Sequence, residues 1–183
     1  MKGGHVIYSF AMSLDGFIAR PDGSYDWLEN FPANADFDFD AFLDSVTGIV
    51  MGRGSYDAVR SAGDNWDYSR WPCAIATRRP LIDAPDGVEA VNGGPAELLE
   101  NLRNRGATGL IWMFGGGDLA RQFIQAGLLD TIEIGTIPVL LGKGLPAFGS
   151  LGSDAWLQLD FAKPLSNGAV HSRYKVTKPA SAG

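Results

Sequence analysis

The sequence predicts an α/β fold in which a mostly parallel sheet is covered by helices and carries antiparallel strands at one side. Three observations predict it. Apolar runs of strand length alternate with helical periodicity up to about residue 130, the order that βα units produce. Beyond that point strand-like segments follow one another directly, as antiparallel strands do. The size, 183 residues, suits one core better than two. Residues 1–178 are therefore expected to form a single domain, with 179–183 as a loose tail.

Each element can be justified in turn. Residues 5–14 (His5-Val6-Ile7-Tyr8-Ser9-Phe10-Ala11-Met12-Ser13-Leu14) are rich in β-formers and stop at Asp15-Gly16, which reads as a buried first strand. Residues 16–34 turn polar around Arg20-Pro21-Asp22-Gly23-Ser24, with Tyr25, Trp27, Leu28 and Phe31 scattered among them. A loop of that length inside a compact domain is usually functional. Phe39, Phe42, Leu43 and Val46 fall at i, i+3, i+4 and i+7, one face of a helix. Gly48-Ile49-Val50-Met51 is a short apolar strand, and Gly52-Arg53-Gly54-Ser55 turns into a helix over 56–61.

Residues 73–77 form a third strand and 88–91 a brief fourth. Gly94-Pro95 opens a helix with proline where its missing N–H matters least, and Leu98 and Leu102 face inward. Leu110-Ile111-Trp112-Met113-Phe114 is a strand, Gly115-Gly116-Gly117 a tight turn, and 118–126 a helix stopped by Gly127. Strands are expected over 131–140, 155–162 and 169–177.

Composition excludes several classes of function. A formal charge of −6 argues against nucleic acid as a partner, because phosphate backbones require a basic footprint. No apolar run reaches the roughly 18–20 residues of a membrane span, and the N-terminus lacks the pattern of a signal peptide. The single cysteine, Cys73, forms no internal disulfide, as suits a reducing cytoplasm. Two histidines and one cysteine are too few for a typical zinc site, so no metal is expected.

Three junctions carry the chemistry: Met51-Gly52-Arg53-Gly54-Ser55-Tyr56, Ala76-Thr77-Arg78-Arg79 and Phe114-Gly115-Gly116-Gly117-Asp118. In an open α/β sheet, ligands bind beyond the carboxyl ends of the parallel strands, and these junctions belong to that edge. Glycines let the backbone approach a phosphate, and free N–H groups at a helix start favour an anion. A sharp reversal requiring positive φ explains the triple glycine equally well, and Asp118 would repel phosphate unless its side chain turns away. Two arginine-bearing junctions beside a glycine cradle suit a ligand with several phosphates. An arginine pair on a ribose 2′-phosphate would select NADP over NAD.

Read together, Ser13-Leu14-Asp15-Gly16-Phe17-Ile18-Ala19, Met51-Gly52-Arg53-x-Ser55-Tyr56, Gly115-Gly116-Gly117 and Ile137-Pro138-Val139-Leu140-Leu141-Gly142-Lys143-Gly144 resemble the dihydrofolate reductase superfamily. Within it the chain is most similar to stand-alone relatives of the reductase domain of the riboflavin-biosynthesis deaminase/reductase. The resemblance covers about residues 5–178. It implies a dihydrofolate-reductase-like three-layer sandwich, NADPH as hydride donor, a small-molecule substrate and a homodimer. It also implies that Gly52, Arg53 and Ser55 form a phosphate-binding helix start, and that Thr77 and Arg78 meet the ribose phosphate. Gly115, Gly116 and Gly117 match a glycine turn with a cis peptide at Gly115–Gly116, and Ala11 and Ile18 line the nicotinamide pocket. Trp27 corresponds to a tryptophan of the loop over the substrate.

On the substrate side two acids are candidates. Asp36 stands sixteen residues before Gly52, where a dihydrofolate reductase carries its substrate-gripping carboxylate. Alternating Asp36, Asp38 and Asp40 are also what a helix start attracts. Asp15 matches a substrate-side aspartate of the riboflavin branch, or is simply a turn residue. Two departures disfavour a phosphorylated substrate: Phe114 replaces a glutamate before the paired glycines, and residues 21–36 are acidic and aromatic where the relatives are basic. The expected function is an NADPH-dependent reductase of a small heterocycle, of pteridine or 5-amino-6-(5-phosphoribosylamino)uracil type. The competing reading is a non-catalytic NADP-binding dimer of the same fold.

Overall fold

The first strand, β1 (His5–Ser13), sets the topology, because the chain later returns to pair on both of its sides. The computed structural model describes residues 4–32, 36–63 and 66–177; the tail expected at 179–183 lies outside them. The stretch expected as loop contains a short strand, β2 (Phe17–Ala19), and a one-turn helix, α1 (Asp26–Glu29). Next come α2 (Phe39–Ser45), β3 (Val46–Gly52), α3 (Arg53–Ser61), β4 (Cys73–Ala76), β5 (Val88–Val91) and α4 (Pro95–Asn104). Then follow β6 (Leu110–Gly115), α5 (Gly117–Gln125), β7 (Thr131–Ile137), β8 (Leu145–Pro146), β9 (Leu157–Pro164) and β10 (Val170–Val176).

Helix α2 departs from its expected face. Asp38 caps it, accepting the Ala41 N–H at 2.9 Å. The chain then turns extended at Val46, whose branched side chain is buried as the first residue of β3. The i+7 position of the expected stripe thus belongs to the strand, and no residue of α2 is buried.

Eight strands form one sheet in the order β5-β4-β3-β6-β1-β7-β10-β9. The pairs β5/β4, β4/β3, β3/β6, β6/β1 and β1/β7 are parallel; β7/β10 and β10/β9 are antiparallel. One face buries Val6, Tyr8, Val50, Met113, Ile132 and Ile134 under Leu98 and Leu102 of α4 and Leu119 and Phe123 of α5. The other packs Ile49, Met51, Cys73, Ile75 and Trp112 against Tyr56 of α3 and Trp71, with Phe42 and Leu43 of α2 at its margin. These layers make the dihydrofolate-reductase-like three-layer sandwich. Burial pushes the Cys73 thiol up to about 12, so it is protonated at neutral pH and is no nucleophile. Among the described residues no helix is long and apolar enough to cross a membrane.

Candidate active site

Strands β4, β3 and β6 are neighbours and parallel, so the three glycine- and arginine-bearing junctions emerge at one edge of the sheet. A Cβ on Gly52 would lie 3.4 Å from the Gly115 carbonyl oxygen and 3.5 Å from the Gly116 nitrogen. The first and third junctions therefore touch. The Ser55 hydroxyl sits beside the same turn, 3.6 Å from where a Gly115 Cβ would stand. Gly115–Gly116 is a cis peptide, at the expected bond. Arg53 ties in the second junction: its Nη1 donates to the Pro80 carbonyl at 3.2 Å and its Nε to Asp57 at 2.7 Å.

Helices α3 and α5 both start here. Their N-caps are Gly52 and Gly116, and neither receives a side-chain cap. Both helix starts thus keep N–H groups available to an anion. Asp118 also lines the cleft, and its carboxylate is bound along the helix by Arg121 (2.7 Å) and Gln122 (2.9 Å), which offset its charge.

These helix starts open on a cleft of about 2110 Å³, lined by Ala11, Ile18, Gly52, Arg53, Ser55, Gly116 and Gly117 among others. That volume exceeds the ~300–1,000 Å³ of a pocket for one small ligand and leaves room for a dinucleotide with a second molecule. Thr77 and Arg78 stand just past Ala76, the last cleft-lining residue of β4; Thr77 is engaged in a turn with Arg79 (3.1 Å), and Arg78 is exposed.

The far half of the cleft is aromatic. Phe114 packs on Trp112 (ring centroids 4.8 Å), Trp112 meets Phe39 (6.1 Å), and Phe37 meets Phe39 (6.2 Å) and the His171 ring (4.9 Å). Tyr68 joins the wall against Phe114 at 5.6 Å. Two buried ionisable groups, Glu133 and His171, also line this half. His171 Nε2 lies 2.6 Å from Glu133 Oε1, and Arg173 donates to Glu133 Oε2 at 3.0 Å. Neither residue was identified from the sequence. The signal lies in β7, where Ile132 and Ile134 alternate with Thr131, Glu133 and Gly135, an acid in a strand buried on both faces.

The structure does not bring the two candidate acids into this cleft. Asp36 lies on the surface, where its carboxylate accepts the Ser166 N–H at 2.9 Å; the helix cap is Asp38. Residues of β9 and the β9–β10 turn hold it there, Lys163 Nζ donating to the Asp36 carbonyl at 3.2 Å beside the Ser166 N–H. Asp15 clasps the loop after β7: it accepts the Ser13 hydroxyl (2.6 Å) and the N–H groups of Leu141 (3.1 Å) and Gly142 (2.7 Å). Trp27 is likewise not on the cleft; it packs with Ile137 and Ala169, and its neighbours Tyr25 and Leu28 line the opening instead.

The Ser13 hydroxyl, followed by the Gly142 and Leu141 N–H groups, holds the Asp15 carboxyl below its ordinary 3.8. It is therefore ionised at neutral pH and has no proton to give. A carboxyl lowered by folding stabilises the fold above its unfolded pKa, and that contribution disappears as pH falls through its folded pKa. Asp15→Asn is expected to melt below the parent at neutral pH, with the gap narrowing below about pH 4 as the parent's own carboxylate protonates. Melting curves between acid and neutral pH check this; a gap independent of pH would contradict the clasp.

Comparisons with known proteins agree with this geometry. A family model described as the RibD C-terminal domain matches residues 4–170. YwjB of Bacillus subtilis (strain 168), itself uncharacterized, is 32% identical over 169 residues, covering 92% of this chain and 95% of YwjB. The riboflavin biosynthesis protein RibD of Corynebacterium ammoniagenes is 30% identical over 77% of this chain, which spans only 45% of that relative. A solved Shewanella sp. PV-4 protein, provisionally named for riboflavin biosynthesis, superposes with a TM-score of 0.81 at 30% identity, covering 95% of this chain and 99% of that one. Dihydrofolate reductase from Enterococcus faecalis, solved with NADP(H), shares the fold at a TM-score of 0.69 and 15% identity, covering 96% and 98% of the two chains.

Proposed function

The chain belongs to the RibD C-terminal domain family, and from that membership we propose that it is an NADPH-dependent reductase of a small heterocyclic or conjugated compound, acting as a cytoplasmic homodimer. One observation carries the reading: two helix starts without side-chain caps, at Gly52–Arg53 and Gly116–Gly117, converge on one cleft.

The residues present fit a dinucleotide. The N–H groups opening α3 and α5 are offered to its paired phosphates, with the Ser55 hydroxyl between the two turns. Arg53, partly buried and pinned by Asp57, and Arg78 on the adjoining junction are assigned to the extra ribose phosphate. Ala11 and Ile18 present small and apolar surface to the nicotinamide. The cofactor, when bound, supplies a hydride; the protein holds the acceptor against it and excludes water behind the aromatic wall. Asp15 and Asp36 take no part, being occupied away from the cleft.

Titration with both nicotinamide cofactors tests the reading. The parent is expected to bind NADPH at least tenfold more tightly than NADH. Arg53→Ala combined with Arg78→Ala is expected to erase that preference, since charge-assisted bonds are worth about 1.5–3 kcal/mol each, or roughly 10–100-fold. Equal affinity of the parent for the two cofactors would remove the role given to the arginines. Following NADPH oxidation with dihydrofolate and the riboflavin-pathway pyrimidine as acceptors then tests the reaction.

A further inference from the structure

The cleft carries more negative charge than its own cations balance. Seven carboxylates of the described residues line it, against Arg53 at the glycine-turn end as the one arginine and no lysine. Four of the seven are matched: Asp26 by Arg20, Asp57 by Arg53, Asp118 by Arg121 and Glu133 by Arg173. The other three are Asp22, Glu29 and Asp67. Asp22 accepts the Ser24 N–H (3.0 Å) and hydroxyl (2.7 Å), which carry no charge. Glu29 and Asp67 are exposed and have no ion-pair partner among the described residues.

These acids border the aromatic wall. The Glu29 N–H donates to the Tyr25 carbonyl at 3.3 Å, so the two lie one turn of α1 apart. Tyr25 in turn approaches Tyr68 across the opening: burial, then the nearby Asp67 and Tyr25, push the Tyr68 hydroxyl up to about 12. Tyr68 packs edge-on against Trp112 (5.9 Å) and Phe114 (5.6 Å). Phe39, on the same wall, leaves 46% of its surface open. The face of an aromatic ring is its negative side and attracts a cation. Open ring faces bordered by unmatched carboxylates favour an organic cation and repel an anion.

The same lining is a poor source of protons. The Ser24 groups hold Asp22, Arg20 holds Asp26 and Arg121 holds Asp118 below the ordinary carboxylate range. Tyr68 keeps its proton, and Glu133 is taken up by His171 and Arg173. A neutral carbonyl or imine needs a proton as well as a hydride, whereas a carbon conjugated with a positive nitrogen needs the hydride alone. We propose that the aromatic half of the cleft takes an organic cation of permanent charge, an N-alkylated azinium or iminium ion, as the hydride acceptor. In that step the hydride forms a C–H bond at the carbon conjugated with the charged nitrogen, the C=N π pair becomes the nitrogen lone pair, and the nicotinamide is oxidised. The product is neutral and no proton is consumed. This deepens the reductase reading and rests on it for which half of the cleft the cofactor takes.

The test uses the full chain with 10-methylacridinium, a flat permanent cation, and acridine, the same rings without the charge in mildly alkaline buffer. Calorimetry is expected to show the cation bound roughly tenfold more tightly than acridine, with the preference shrinking as salt is added. Glu29→Gln combined with Asp67→Asn is expected to cut that preference roughly fivefold and to leave acridine binding unchanged. Phe39→Leu is expected to weaken the cation roughly threefold. Glu100→Gln on α4, which does not line the cleft, is expected to change nothing. Melting curves confirm that each variant folds. With NADPH bound as well, the acridinium absorption is expected to disappear faster than without protein, at a rate varying less than about threefold from roughly pH 6 to 8.5, because no catalytic acid titrates. Acridine bound as tightly as the cation, an unchanged preference in the folded double variant, or a bound cation left unreduced beside bound NADPH overturns the proposal. NADPH titrated into the same samples keeps the two readings apart. Cation binding without NADPH binding removes the reductase reading, and the acceptor role with it, and leaves the cation site. NADPH binding with no preference for the cation removes the cation site alone.

Discussion

Replacing Gly117 with alanine is expected to lower the melting temperature by about 6–12 °C and to abolish the NADPH binding proposed above. A Cβ at that position would come within 2.3 Å of the Pro146 carbonyl oxygen and 3.1 Å of the Ala147 carbonyl. Those obstacles are backbone, so they yield only if the segment around β8 moves. That segment is held in three further ways: Gly149 N–H donates to the Gly117 carbonyl at 2.9 Å, Tyr8 donates to the Ala147 carbonyl at 3.0 Å, and β8 pairs with β2. Overpacking costs about 1–3 kcal/mol and more where nothing can shift. About 3 kcal/mol corresponds to the stated shift for a chain of this size. Because Leu145, Pro146 and Gly149 also line the cleft, the displacement propagates to the site. Gly54→Ala is the matched control. It lies in the first turn of α3 with open space around its Cβ position, and is expected to raise stability by about 0.5–1 kcal/mol through helix propensity. Equal melting temperatures for the two variants would contradict the close approach at Gly117.

The second large effect is expected at Glu133. Glu133→Ala leaves His171 without its partner at 2.6 Å and Arg173 without its contacts at 2.9–3.0 Å. Removing one member of a buried ion pair costs about 3–5 kcal/mol. Arg173 retains 40% exposure and relaxes into solvent, so the lower end, about 3 kcal/mol, is expected. Urea unfolding of parent and variant measures it. A loss within about 0.5 kcal/mol, the range of an ordinary surface substitution, would mean that the three groups are not coupled as their distances indicate.

Much of the fold was legible because the strands of a parallel sheet covered on both faces are near-continuous apolar runs. Ile49, Val50 and Met51, or Ile111, Trp112 and Met113, announce themselves in that way, and proline and glycine mark the start of α4. The errors fall where neighbours outvote local pattern. Val46 satisfies a helical stripe but is claimed by the strand beside it, and Phe17 to Ala19 become a strand only because Leu145 and Pro146, more than a hundred residues later, pair with them. The glycine turns were legible too, since a close backbone approach leaves glycine as its trace.

The sequence by itself determined the order along the chain of the strands in the large sheet, the family and the three junctions that share one sheet edge, because periodicity and glycine placement are local properties. Tertiary structure alone gave each acid its surroundings. Asp15 accepts the N–H groups of Leu141 and Gly142 from the loop after β7, and the Asp36 carboxylate accepts the Ser166 N–H from the β9–β10 turn. Glu133 and His171, 38 positions apart, met only when β7 and β10 paired. An ionisable side chain's role depends on the dielectric and the donors around it, and those are supplied by residues distant in the chain.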